Sequence, residues 1–195
     1  MTDTSHKSAS QTLREIASWQ PGGGSADSDL LPELSTMVAR SRDLSRNHGI
    51  ASGAMQTLAD NIVGTGFRLS AKPDYKLLGK TKEWGEEWQA KVESLWRSWA
   101  ETFACDAGKG LNFHGLTTQI FKSCLINGEA LALVLWLPER QFATAIQLVE
   151  PDRLSNPNNS NDTKNLRGGV EIDKFGAPIA YHILKAVSYT HLRAH

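Results

Sequence analysis

The chain has 195 residues, of which 40% are hydrophobic and 22% charged, with 21 Lys+Arg against 21 Asp+Glu and a formal net charge of zero. That composition excludes wholesale disorder and a fibrous repeat, and the length suffices for one domain with a core of its own. The charge balance argues against a free-standing nucleic-acid binder, which shows a basic excess. No stretch reaches the about 18 uninterrupted apolar residues of a membrane span, and the first residues lack the apolar core of a secretory signal. Two cysteines, Cys105 and Cys124, can form neither a disulfide framework nor a four-ligand zinc site. The expectation is a soluble protein of a reducing compartment.

Residues 1–29 are rich in Ser, Thr, Gly and Asp and contain the helix-breaking run Pro21-Gly22-Gly23-Gly24, so they are expected to form a flexible N-terminal arm. A first helix is expected from Asp29-Leu30-Leu31-Pro32, with Asp29 as N-cap, proline in the first turn and Leu34, Val38 and Leu44 at near-helical spacing. Asn47-His48-Gly49 interrupts it, and Asn and Gly both suit a left-handed C-cap. Ala51, Met55, Leu58 and Ile62 make the apolar stripe of a second helix, which exits at Gly64-Thr65-Gly66 into Phe67-Arg68-Leu69, an alternation like the start of a strand. Residues 70–82 read as a lysine-rich loop. Trp84, Trp88, Val92, Leu95, Trp96, Trp99 and Phe103 then fall on one face of a third helix, an aromatic stripe suited to a core or a subunit interface.

Asp106 to Gly110 reads as a turn, and Phe113, Leu116, Ile120, Phe121 and Cys124 mark a fourth helix ending at Asn127-Gly128. The apolar run from Glu129 to Leu137 reads as a buried strand, and Phe142 to Val149 as a second, joined by the turn Pro138 to Gln141. Residues 155–165 form a polar, turn-rich loop. Gly169–Asp173 and Ile179–Ile183 flank Lys174-Phe175-Gly176-Ala177-Pro178 as a hairpin, whose last strand would present an unpaired edge. Helices first and then a small, mostly antiparallel sheet give the class α+β.

Few residues suggest chemistry. Gly64-Thr65-Gly66 is too short for a nucleotide fingerprint, and Gly22-Gly23-Gly24-Ser25 lacks the lysine of a phosphate cradle. No Gly-x-Ser-x-Gly elbow occurs. His6, His48, His114 and His182 stand apart from one another and from the cysteines, so no metal site is expected. Glu150 and Asp152 follow a strand, where a carboxylate pair could serve a small hydrolase or transferase; with Pro151 between them, loop capping is the plainer expectation. Arg40, Arg42 and Arg46 share a helix with Asp43 and fit a solvated face, phosphate contacts or a salt bridge to another subunit. The tryptophan stripe leaves open a third class, an independent protein-binding module.

Several segments together resemble one family. Ser25-Ala26-Asp27-Ser28-Asp29-Leu30-Leu31-Pro32, Ala39-Arg40-Ser41-Arg42-Asp43-Leu44-Ser45-Arg46-Asn47-His48-Gly49-Ile50-Ala51 and Asp60-Asn61-Ile62-Val63-Gly64-Thr65-Gly66 are similar to the N-terminal signature of lambda-type phage portal proteins. Trp96 with Trp99, Asn127-Gly128-Glu129-Ala130, the run Val149 to Asn159 and Gly168-Gly169-Val170-Glu171-Ile172-Asp173 with Gly176 and Tyr181 follow in order. His48 stands where the family more often has Asn or another polar residue. Residues 30–186 would then be the wing-like N-terminal region of a portal subunit, and 187–195, which leave the pattern, a non-native tail resembling translated sequencing adapter.

The resemblance implies a structural protein of the virion, a dodecameric ring at one capsid vertex through which double-stranded DNA passes without sequence-specific binding. It implies as partners the major capsid protein, the large terminase subunit and the head-completion and tail proteins. It implies assembly in the bacterial host cytoplasm, no membrane, no cofactor, no metal and no catalytic residues. A piece of such a subunit is expected to unfold in a broad thermal transition, because neighbours supply much of the contact in a ring.

Overall fold

The computed structural model describes residues 14–15, 17–19 and 22–185. Most of the expected arm, and the expected tail at 187–195, lie outside the described residues. The chain divides into two compact units, Met1–Met37 and Val38–His195.

In the first unit, helix α1 (Ala26–Asn47) begins earlier than the sequence predicts. Ser25 rather than Asp29 caps it. The Ser28 N–H donates to Ser25 Oγ (3.2 Å), and the Asp29 N–H donates to Ser25 O (3.1 Å). The start therefore moves one turn upstream, and Pro32 stands inside the helix rather than in its first turn. Asp27 and Asp29 occupy the first turn, where acidic side chains complement the exposed N–H groups.

The second unit carries the end of α1 and all later elements. No left-handed residue ends α1. His48 is extended, and its Nδ1 accepts from the Ala51 N–H (3.4 Å), capping helix α2 (Gly49–Ile62). A one-residue junction does both jobs, so the expected C-cap is not needed; asparagine would supply the same acceptor. On α2 the buried positions are Ala59, with Val63 just beyond the helix, while Leu58 and Ile62 are exposed. The packed face is thus rotated from the predicted stripe toward the small residues, which allow close approach. Gly64 and Gly66 follow with positive φ.

Phe67–Leu69 does not form a strand. The segment is held instead at Ala71, which is buried and donates its N–H to Glu93 Oε1 (3.0 Å) on helix α3 (Lys82–Ala100). Gln89 Nε2 donates to the same oxygen (2.8 Å). These two bonds, Gln89 first, hold the Glu93 carboxyl below its ordinary range. A depressed folded pKa contributes stability that is complete above the ordinary glutamate range and lost as pH falls through the folded value. The protection of the Ala71 amide against hydrogen exchange should therefore be constant near neutrality and fall in acid, and Glu93→Gln should remove that dependence. Protection that stays flat through the acid range would contradict the anchor.

Helix α3 ends at Ala100, so Phe103 lies beyond it in a short 3-10 turn, Phe103–Cys105, and is exposed. The predicted aromatic face is split. Trp84 and Trp88 stack at 6.3 Å near the start, with Trp88 exposed. Trp96 and Trp99 gather around Phe113, the first residue of helix α4 (Phe113–Asn127), at 5.0 and 5.7 Å. Asn112 caps α4 by accepting from the Gly115 N–H (2.9 Å), and Gly128 in the left-handed region ends it, as predicted.

Strands β1 (Leu131–Trp136) and β2 (Thr144–Val149) form an antiparallel hairpin in the register Leu131↔Val149 to Trp136↔Thr144. Strands β3 (Leu166–Arg167), β4 (Val170–Ile172) and β5 (Pro178–Tyr181) form a second antiparallel sheet in that order. The class is α+β, with the sheet in two parts. β3 was not legible in sequence because two residues carry no periodicity. β1 is not a buried strand: its even-numbered residues Ala132, Val134 and Trp136 are exposed. Leu116, Cys105, Ala145 and Val149 form the centre of the core, and only Leu116 and Cys105 are fully buried among larger side chains of the described residues.

Candidate functional site

Glu150 and Asp152, the one carboxylate pair with catalytic promise, line a cleft of about 490 Å³ with Arg42, Gln119, Asn127 and Leu131. Asp152 sits in the 3-10 turn Pro151–Arg153 that leaves β2. It does not cap loop amides. Arg42 Nη1 donates to Asp152 Oδ2 (2.6 Å) and Nη2 to Asp152 Oδ1 (2.9 Å). The third donor, Arg42 Nε, reaches Asn127 Oδ1 (2.8 Å) at the end of α4. Asn127 Nδ2 donates to Ser123 Oγ (3.0 Å), whose hydroxyl donates to Glu129 O (2.8 Å). The guanidinium thus ties α1, α4 and the exit of β2 together by a two-pronged carboxylate grip.

That arrangement corrects two expectations. Arg42 is neither simply solvated nor reserved for another subunit, and Asp152 has both oxygens committed to a cation. The hydrogen bond from Asp152 raises the Arg42 pKa further above its ordinary value, so the guanidinium stays charged. A carboxylate held this way is a poor general acid. The pairing was invisible in sequence because 110 positions separate the partners. Both side chains keep solvent access, so the bridge is worth about 1 kcal/mol or less. Asp152→Asn should leave the fold intact and shift a denaturant midpoint only slightly; loss of a measurable hydrolase or transferase activity in a folded Asp152→Asn chain would reinstate the catalytic reading.

Other candidates disperse. Cys105 is buried, which pushes its thiol pKa up and makes it a weak nucleophile. Cys124 lies apart on α4. His48 serves as a cap, His114 lies against Gly66, and His182 Nε2 stands 3.4 Å from Glu171 Oε2. Among the described residues no three His, Cys, Asp or Glu gather as metal ligands, and no helix is long and apolar enough to cross a membrane. A second cleft, about 610 Å³, lies between Gly66–Leu69 and Trp96, Arg97, Phe113 and His114.

The segments that carry the family resemblance build the scaffold. Asn156, buried, accepts from the Gly169 N–H at Oδ1 (2.7 Å) and donates from Nδ2 to Ser160 O (2.9 Å) and Asp162 Oδ1 (2.8 Å). Asp162 Oδ1 also accepts from the Gly168 N–H (3.0 Å). The run after β2 is thereby pinned to the Gly168-Gly169 turn that opens β4. Trp99 Nε1 donates to Thr144 O (2.8 Å), fastening α3 to β2. Asp106, also buried, accepts three backbone N–H bonds: from Gly108 at Oδ1 (2.9 Å), and from Gly110 (2.8 Å) and Leu111 (3.0 Å) at Oδ2. Sequence reasoning found the Asp106 turn but not its role. An aspartate followed by two glycines is the available signal.

Residues 12–193 match the family described as phage portal protein, lambda family. The chain is 38% identical over 173 residues to the portal protein of Escherichia phage N15, a match covering 87% of this chain and 33% of that protein. It is 36% identical over 173 residues to portal protein B of Escherichia phage lambda, covering 87% of this chain and 32% of that one. The chain spans about a third of the length of these curated relatives. With a family match over nearly its whole length, the chain belongs to the lambda family of phage portal proteins.

Proposed function

We propose that this chain is the N-terminal, wing-like region of a portal subunit, whose full-length form assembles as a ring at one capsid vertex through which DNA is packaged and ejected. Its part is structural. The observation that carries this reading is the use made of the family's own segments: Arg42, Asn127, Asp152, Asn156 and Gly169 are spent on holding the fold together, not on a convergent reactive cleft. Twelve subunits, contacts with the major capsid protein, the large terminase subunit and the head-completion and tail proteins, and residence in the virion after assembly in the host cytoplasm complete the proposal. The net charge of zero agrees with duplex DNA passing by without sequence-specific grip. A family-length protein carrying this region should appear as closed rings by negative-stain microscopy. Isolated single subunits at micromolar concentration would count against the reading.

A further inference from the structure

Two strand edges in the second unit are open, and they differ in character. β1 pairs with β2 alone. The Leu137 N–H donates to Ala143 O (2.7 Å), so alternation along an antiparallel ladder turns Leu131, Leu133 and Leu135 toward β2, and the N–H and C=O groups of Ala132, Val134 and Trp136 outward. No hydrogen bond to those outward groups is present among the described residues. The same residues expose apolar side chains, Val134 at 76% and Trp136 at 73%. The far edge of this hairpin is closed, because Thr144 O accepts from Trp99 Nε1 and Ile146 O from the Ala107 N–H (2.8 Å).

β5 and its extension are occupied on the inner side. The His182 N–H donates to Gly169 O (2.8 Å), the Ser155 N–H to His182 O (3.1 Å) and the Leu184 N–H to Arg153 O (2.8 Å). The main-chain groups of Tyr181 and Ile183 therefore face outward, and Ile179, Tyr181 and Leu184 are exposed. Neither Leu131–Trp136 nor Pro178–Tyr181 holds a charged residue of the kind that protects an edge from pairing. The flanks carry opposite charge: exposed Glu129 and Glu139 bracket β1, and exposed Lys174 and Lys185 bracket β5. Pairing like edges would set glutamate against glutamate or lysine against lysine. Pairing unlike edges sets each against its complement.

The geometry points to strand addition between copies, the β1 edge of one subunit pairing with the β5 edge of the next. This rests on the ring reading above and names the surfaces that would serve it. A contact between unlike edges propagates head to tail and closes into a ring when its rotation allows, whereas a contact between like edges stops at a dimer.

Proline at an outward position removes an outward N–H and leaves the intrachain ladder bonds in place. Val134→Pro blocks the first edge and Tyr181→Pro the second. In sedimentation of the 195-residue chain, the unmodified chain should self-associate with concentration, each variant alone should remain monomeric, and an equimolar mixture should give one-to-one dimers and nothing larger. Should a proline variant fail to fold by circular dichroism, Trp136→Cys and Tyr181→Cys chains, each with Cys124→Ser, replace the pair. Oxidation should then cross-link the two variants to each other in preference to themselves. Dimers of Tyr181→Pro alone, or self-cross-linking only, would mean like edges pair and would overturn the proposal. An unmodified chain that stays monomeric at hundreds of micromolar would overturn it as well. Whether the family-length protein forms rings is decided separately by microscopy, so failure of this edge pairing and failure of the ring reading are distinguishable.

Discussion

Replacing Gly169 with alanine should unpin the three-stranded sheet from the segment that follows β2. A Cβ at this position would lie 2.5 Å from Ser155 N and 2.9 Å from Leu154 C, both backbone atoms that cannot rotate away. The residue also holds φ at +82°, a conformation that costs a non-glycine residue about 1–3 kcal/mol before any overlap is counted. Relief requires moving Leu154-Ser155 away from Gly169. That movement breaks the Gly169 N–H bond to Asn156, leaves a buried amide acceptor without its donor, and loosens the His182 and Leu184 bonds on either side. Hydrogen exchange of the Ser155, His182 and Leu184 amides should accelerate together, at least tenfold, while the Ala107 amide, bonded to Ile146, keeps its protection. Unchanged exchange at all three in Gly169→Ala would show that the close approach does not constrain the sheet.

Asp106→Ala should be the most damaging substitution in the helical part of the second unit. The side chain is only 9% exposed and accepts three main-chain N–H bonds. A hydrogen bond to a charged acceptor is worth about 1.5–3 kcal/mol, and an orphaned buried donor adds a desolvation cost. The three are not additive, so the total should be somewhat above about 3 kcal/mol. The Asp106 and Ala107 carbonyls also receive Arg140 Nη1 (3.1 Å) and Nη2 (2.8 Å), and the Ala107 N–H bonds Ile146 O, so collapse of the turn would also uncover the β2 edge. Cys105, adjacent and fully buried, is a built-in reporter. In a Cys124→Ser background its thiol should resist labelling in the unmodified chain and react readily in Asp106→Ala. A Cys105 thiol still silent in that variant would mean the turn does not depend on the carboxylate.

What the sequence discloses here is set by the range of the interaction. The four helices and the strand pairs were legible because periodicity and turn residues act over a few positions: Asn127-Gly128 ended α4 where a left-handed residue had to fall, and Asp173 to Pro178 turned β4 into β5. Boundaries failed where a polar side chain decided them. Ser25 outcompeted Asp29 as cap, and His48 capped α2 where a left-handed stop was expected. The tryptophan stripe misled because helical phase says which residues share a face, not how much of that face a partner covers; Trp96 and Trp99 found Phe113, while Trp88 and Leu95 stayed exposed. Long-range pairings such as Arg42 with Asp152 and Asn156 with Gly169 leave no local trace. The family resemblance had already singled out each of these four residues, and the structure supplies the reason they belong together.

The account's central claim is that this region works by packing against copies of itself rather than through a reactive pocket. Native mass spectrometry of the family-length protein tests it most directly. The account predicts a particle whose mass is a whole-number multiple of the subunit mass, large enough to close a ring, with no small molecule or metal retained. A particle of one subunit's mass, or one carrying a stoichiometric nucleotide or metal ion, would contradict it.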